Sequence, residues 1–296
     1  MTLSDNLNGI VRNGEIVFLD TSLMDIEAYK IGSFPSLQNL DTEMLQLQQK
    51  SINDFLKILG NPSTRTTPEV TAEIEYSARR MEKEVEKLSL PKDRCKPKYQ
   101  ENKAILDQMI QEIDFCEEES ARKEFNPGNK ALYRSLVEMV KSLSIGLRLC
   151  RRFGQPKSSE TGLYTTEKLI ASAYFASLCK KSPILLTRDT YFPTLLGVTP
   201  KLMGSDVFLP CNKDFRAALL ENPFKLYLYF DGKLKGPEFE NMDLSYPTDF
   251  SLRNTDAETA DRLRGELEQY WKLFCGARGQ GYSIAKRNHQ SQNSKR

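Results

Sequence analysis

Residues 14 to 24 read GEIVFLDTSLM: four consecutive apolar residues, Ile16 to Leu19, run straight into Asp20, with the hydroxyls of Thr21 and Ser22 behind it. An unbroken Ile-Val-Phe-Leu run has no polar face, so it fits a strand buried on both sides, as in a parallel sheet covered by helices. It also leaves a carboxylate at the end of a buried strand, where burial is costly unless a partner is supplied. The fold must therefore provide helices for two sheet faces and an answer to Asp20.

The helices are legible downstream. In 41–59, Leu45, Ile52, Phe55, Leu56 and Leu59 make one apolar stripe, stopped by Gly60 and Pro62. The next segment opens with Thr66, Thr67 and Pro68, with Glu69 in capping-box register to Thr66. Val70, Ile74, Ala78, Met81, Val85 and Leu88 then recur every three or four residues until Pro91. Residues 92–158 read as a helical block with two stripes, Ile105, Met109, Ile110, Ile113 and Leu132, Leu136, Val140, Leu143, Leu147, separated by the turn FNPGN. A helix TTEKLIASAYFASLCKK leads into the strand PILLT, and FKLYLYF is a further strand before an Asp231-Gly232 turn. A short helix at 213–223 and a final one opening on Thr255 and Glu258, with the stripe Leu263, Leu267, Tyr270 and Phe274, complete the reading. Strands alternating with helices imply parallel crossovers and an α/β class.

Composition narrows the chemistry. The one histidine, His289, lies in a polar stretch, so Ser-His-Asp triads, Cys-His dyads and His-rich zinc sites are excluded from the fold. Cys95, Cys116, Cys150, Cys179, Cys211 and Cys275 are scattered without a CxxC pair, and are expected as small buried hydrophobes in a reducing compartment. No apolar run approaches the ~18 residues of a membrane span. The opening residues lack the basic and apolar regions of a secretory signal, so no membrane partner and a cytoplasmic setting are expected. A net charge of +2 rules out a generally polyanion-binding molecule, but residues 276–296 are basic, without an acid, and read as a disordered tail.

Catalysis without histidine must use carboxylates, hydroxyls, Lys/Arg or a metal on oxygen ligands. Four acids stand out: Asp20 at the end of a strand, Glu73 near the start of a capped helix, Glu167 in the first turn of another, and Asp189 just after ILLT. Ligands of open α/β sheets bind beyond the carboxyl ends of the strands, the edge that Asp20 and Asp189 occupy. Helices packed on such strands run antiparallel to them, so spacing alone does not bring Glu73 and Glu167 to that edge. Each acid also has a plainer role open to it. Asp20 can cap the following turn or bond Thr21 and Ser22, and Glu73 can lie on a solvated helix face. Glu167 can complement a helix dipole, and Asp189 can be a turn residue. If the four converge, they require a cation, and a hard oxygen set favours Mg²⁺ or Mn²⁺.

The order of these elements, IVFLDTS, VTAE (Val70–Glu73), EKLIASA (Glu167–Ala173) and TRDTYF (Thr187–Phe192), resembles the PIN-domain nucleases. Their pattern is a strand ending in D-T/S, a V-x-x-E helix start, a D/E-x-x-I-A-x-A helix and a T-x-D-x-x-F strand end. The third acid here is Glu where the family more often has Asp, and the chain is about twice the length of a minimal member. The resemblance implies a three-layer α/β/α core with a mostly parallel sheet. It also implies metal-dependent hydrolysis of RNA, commonly single-stranded. Asp20, Glu73, Glu167 and Asp189 would be the metal carboxylates, supported by the hydroxyls of Thr187 and of Thr21 or Ser22.

The expected organisation is a discontinuous core, 1–89 and 159–275, with a helical insertion at 90–158 and the tail at 276–296. The insertion offers a place for a homo-oligomer contact or a protein partner. Arg148, Arg151, Arg152 and Lys157, with Lys180, Lys181 and Arg188, fit either a phosphate-tracking surface or solvated helix ends. A non-catalytic RNA-binding scaffold and a structure-specific DNA nuclease are the alternatives to an endoribonuclease.

Overall fold

The computed structural model describes residues 11, 14–26, 31–151, 163–189, 192, 225–230 and 233–235; the expected helices at 213–223 and from Thr255, and the tail at 276–296, lie outside them. Strand β1 (Glu15–Leu19) forms on the apolar run. Val17, Phe18 and Leu19 are fully buried, and because consecutive strand residues point to opposite faces, both faces of β1 are covered. It pairs in parallel with β2 (Thr64–Arg65), Val17 opposite Thr64 and Phe18 opposite Arg65. With β3 (Ser182–Thr187), β4 (Lys225–Phe230) and β5 (Lys233–Lys235), the described strands make a sheet of order β2-β1-β3-β4-β5. The first four are parallel and β5 returns antiparallel on β4, with Phe230 opposite Lys233; the fold class is α/β. Asp231 and Gly232, the expected turn, lie outside the described residues.

Helix α1 (Thr42–Leu59) starts at Asp41, whose carboxylate accepts the Glu43 N–H at 3.0 Å. It buries Leu45, Ile52, Phe55, Ile58 and Leu59. Helix α2 (Pro68–Leu88) buries all six residues of its expected stripe. Its cap differs from expectation: Thr67, one residue later than Thr66, is the N-cap and accepts from Val70 N–H at 3.4 Å. The position facing the cap is therefore Val70, and no Thr66–Glu69 capping box forms. Thr66 is used elsewhere, its N–H on the Lys123 carbonyl, its hydroxyl on that of Ser120 and its own carbonyl on Phe125 N–H.

Those bonds reach the end of helix α3 (Pro97–Arg122), against which both α1 and α2 pack. Ile105 and Ile110, expected on its apolar stripe, are half-buried. The buried line is Tyr99, Leu106, Met109, Ile113 and Cys116, because a helix wedged against two others buries a wider face than one stripe. Asn102 lies on that face with no exposed surface. Its amide donates to the Leu37 and Leu40 carbonyls at 2.8 and 3.2 Å and its oxygen accepts from Thr42 Oγ1 at 2.8 Å, tying the entry of α1 to α3.

Helices α4 (Lys130–Arg151) and α5 (Thr165–Leu178) pack on one another through Leu136, Val140 and a T-shaped contact of Tyr133 with Phe175. They belong to a second compact unit, while β1, α1, β2, α2, α3, β5 and the carboxyl-terminal four residues each of β3 and β4 belong to the first. Helices of the 90–158 block are thus divided, α3 with the sheet and α4 with α5. Of the described cysteines only Cys116 is buried; Cys95 and Cys179 are exposed, contrary to expectation, because Cys95 follows a surface turn and Cys179 ends α5. Among the described residues no helix is long and apolar enough to cross a membrane.

Replacing Asn102 by Leu keeps the bulk but removes the amide donor from the buried Leu37 and Leu40 carbonyls, leaving Leu37 with only the Leu40 N–H. Such a change is expected to lower the unfolding free energy by about 2–5 kcal/mol, each unmade buried bond costing ~1–3 kcal/mol. Urea titration reads this directly, and a midpoint equal to wild type would show that the amide is not the tie.

Candidate functional site

Asp20 leaves the sheet still in register, its N–H on the Leu186 carbonyl at 3.1 Å, so its carboxylate emerges beside the end of β3. It is 5% exposed. One oxygen, Oδ2, accepts two hydroxyl protons, from Ser22 and, at 2.6 Å, from Thr187. Both hydroxyls are oriented by backbone amides: Arg188 N–H donates to Ser22 Oγ and Asp189 N–H to Thr187 Oγ1, each at 2.9 Å. A hydroxyl has one proton. With both protons on the ionised Asp20, the 3.2 Å contact between the two hydroxyl oxygens carries no bond of its own. The β3 end thus passes its amide dipoles through two hydroxyls onto one carboxylate.

This arrangement decides between the roles open to Asp20. It occupies the N-cap position of the 3-10 turn Thr21–Met24, yet its side chain makes no capping bond. Thr21 turns away and donates to Glu73 Oε2 at 2.6 Å, across 52 residues of sequence. Glu73 is half-buried on the flank of α2, beside the buried Val70–Ile74 line.

The expectation that helix starts lie at the far edge of the sheet is corrected by β2. That two-residue strand, unmarked in the sequence, runs parallel to β1, and α2 begins three residues after it. A helix that follows a parallel strand begins at that strand's carboxyl edge, and Glu73 lies in the second turn, so it stays near that edge. Asp20, Glu73 and Asp189 are together there, all in the first unit. The carboxyl of Asp20 is pushed from its ordinary 3.8 up to about 7, chiefly by burial; the Ser22 and Thr187 hydroxyls pull it down, and the charges of Glu73 and Asp189 push it up.

Glu167 belongs to the second unit, 1% exposed in the first turn of α5, and accepts from the Ser144 hydroxyl of α4. Of the expected basic surface, Arg148 and Arg151 fall in the last turn of α4, where only the backbone is described, and Arg152 and Lys157 lie outside the described residues. Lys180 and Lys181 are exposed just after α5. Arg188 is placed fully: its guanidinium is 2.7 Å from Asp25 Oδ2. Asp25, like β2 and Ser144, carried no sequence signal, since its role depends on a partner 163 positions away.

The donor chemistry fits a hard divalent cation, since the side chains of Asp20, Glu73, Asp189, Thr21, Ser22 and Thr187 offer only oxygen. The acids have separate hydroxyl partners, Ser22 and Thr187 for Asp20 and Thr21 for Glu73, and among the described residues no three His, Cys, Asp or Glu side chains stand close enough to hold a metal ion in common. Comparison with known protein families, with curated proteins and with solved structures found no match to this chain.

Because Asp20 is easier to protonate in the folded than in the unfolded chain, the folded state binds the extra proton between about pH 4 and 7. Its contribution to stability is greatest below the unfolded value and falls as pH rises through the folded one, by at most ~1.4 kcal/mol per pH unit. Asp20→Asn should abolish this slope and gain on wild type up to pH 7, with no further change above it. Urea unfolding of both proteins at several pH values tests this; parallel curves would refute the assignment.

Proposed function

We propose that this chain is a metal-dependent endoribonuclease, hydrolysing phosphodiester bonds in single-stranded RNA on a three-layer, PIN-like α/β/α core. One observation carries the reading. The chain leaves β1 for β2 on one side and later enters β3 on the other. The strand order therefore reverses between β1 and β3, which is where ligands bind in open α/β sheets. The carboxyl end of that crevice is lined by Asp20, Thr187 and Asp189, with Glu73 joined through Thr21.

A bound Mg²⁺ or Mn²⁺ would offset the carboxylates, neutralise charge developing on the phosphodiester and acidify a water. Asp20, Glu73 and Asp189 would hold it by drawing closer together than they stand here; Glu167 enters by the resemblance alone. Ser22 and Thr187 fix the direction of the Asp20 carboxylate, so that its Oδ2 is committed to the scaffold. Thr21 keeps Glu73 turned toward the edge. With no histidine among the described residues, proton transfer falls to carboxylates. A cytoplasmic setting belongs to this reading.

The second reading is an RNA-binding scaffold that keeps the fold without cutting, favoured by acids that stand too far apart to share a metal ion. End-labelled single-stranded RNA and DNA, incubated with Mn²⁺, Mg²⁺ or EDTA, separate the two. Cleavage should need the metal, prefer RNA, and fall at least about a hundred-fold in both Asp20→Asn and Asp189→Asn. RNA binding without cleavage, unchanged in the variants, establishes the scaffold, and preferential cutting of DNA overturns the RNA assignment.

A further inference from the structure

We infer that Asp25 and Arg188 form a latch for substrate phosphate: Asp25 stores the guanidinium beside the acidic edge, and a phosphate of the bound strand takes it over. The inference rests on the proposed function for the identity of the ligand and adds to it a residue that regulates access.

Both halves of the latch hang from segments that build the site. Arg188 lies between Thr187 and Asp189, and its N–H is fixed on Ser22 Oγ. Asp25 closes the turn that carries Thr21 and Ser22, with its N–H on the Ser22 carbonyl at 3.2 Å and a left-handed backbone at φ 53, a conformation Asp tolerates. The pair therefore joins the end of β1 to the end of β3 on the rim of the crevice, by a contact of 2.7 Å.

Charge explains why such a latch is needed. Arg188 stands between Thr187 and Asp189 in the chain, so a guanidinium left alone is free to turn onto the acidic cluster and compete with a cation for it. Asp25 supplies a rival acid outside the cluster and holds the charge off it. The same guanidinium is the cation a phosphodiester needs on approaching a site of three acids. Its planar fork matches two phosphate oxygens, whereas the aspartate contact uses Nη1 on one carboxylate oxygen. Exposure decides that the exchange is feasible. The two side chains are 26% and 43% exposed, so the pair is partly solvated and weak, and an incoming phosphate displaces it without burying an orphaned carboxylate.

The test is binding of a fluorescein-labelled ten-nucleotide single-stranded RNA to the full chain in EDTA, where no cleavage occurs, over a range of salt. Arg188→Ala should weaken binding about five-fold at 0.1 M salt and flatten the plot of log affinity against log salt by ~0.7, one phosphate contact on a single strand. Asp25→Asn, which keeps the cap geometry, should act in the opposite direction, tightening binding about two- to five-fold as the stored arginine is released. The double variant should match Arg188→Ala, and Arg188→Lys should retain the salt slope while losing part of the affinity. Weakening by Asp25→Asn, or an unchanged slope in Arg188→Ala, overturns the latch, as does absence of salt-dependent binding by wild type. Metal-dependent cleavage is scored separately, so a latch without cutting or cutting without a latch tells which of the two readings has failed.

Discussion

A buried carboxylate at the end of a parallel strand organises the described edge of this protein. Removing Asp20 from water is costly, and among the described residues no arginine or lysine bonds to it. Two hydroxyls answer instead, each already oriented by a backbone N–H of the segment after β3. Because those amides belong to Arg188 and Asp189, the residues that satisfy Asp20 also fix where the next two charges begin. Slipping β1 against β3 by one residue would turn Asp20 to the other face and leave the hydroxyls facing apolar side chains.

The helices matter to function through where they let α2 start. Thr66 sits between the shortest described strand and α2, with its backbone and side chain bonded to the end of α3. Phe125, held by the same bonds, meets Phe18 edge-on at 5.2 Å. This junction sets the line along which α2 leaves the sheet and so the distance from Glu73 to Thr21. Asn102 performs a comparable task at the other end of α3, where it donates to two buried backbone carbonyls before α1.

Neighbouring carboxylates give the acidic edge a particular electrostatic character. Three acids that influence one another cannot all carry charge cheaply in a partly buried place, and one of them, Asp20, titrates near neutrality. Such an edge responds to anything that supplies positive charge, whether a proton, a divalent ion or a guanidinium. The Arg188–Asp25 pair keeps the last of these in reserve. The nuclease reading and the latch draw on the same physical fact: negative charge is concentrated at a strand crossover where the backbone itself cannot compensate it.

Local pattern determined a great deal. The apolar run fixed β1, a 3.6-residue period fixed α2 residue by residue, and turn chemistry separated α3 from α4, because burial of one face repeats at the period of the backbone. A single histidine, at 289, bounded the chemistry, and sequence context picked out Asp20, Glu73, Glu167 and Asp189, of which Asp20, Glu73 and Asp189 fall in the first unit. Other features belong to the tertiary structure alone. A strand as short as β2 has no periodicity to detect, yet it brings Glu73 to the edge of the sheet. Asn102 breaks the apolar pattern of α3 because its partners are carbonyls from another segment. Asp25 finds Arg188, and Thr187 finds Asp20, across more than 160 residues each. Sequence specifies which groups can bond; only folding the sheet decides which of them meet, since hydrogen bonds and ion pairs act over a few ångströms in space, whatever their separation along the chain.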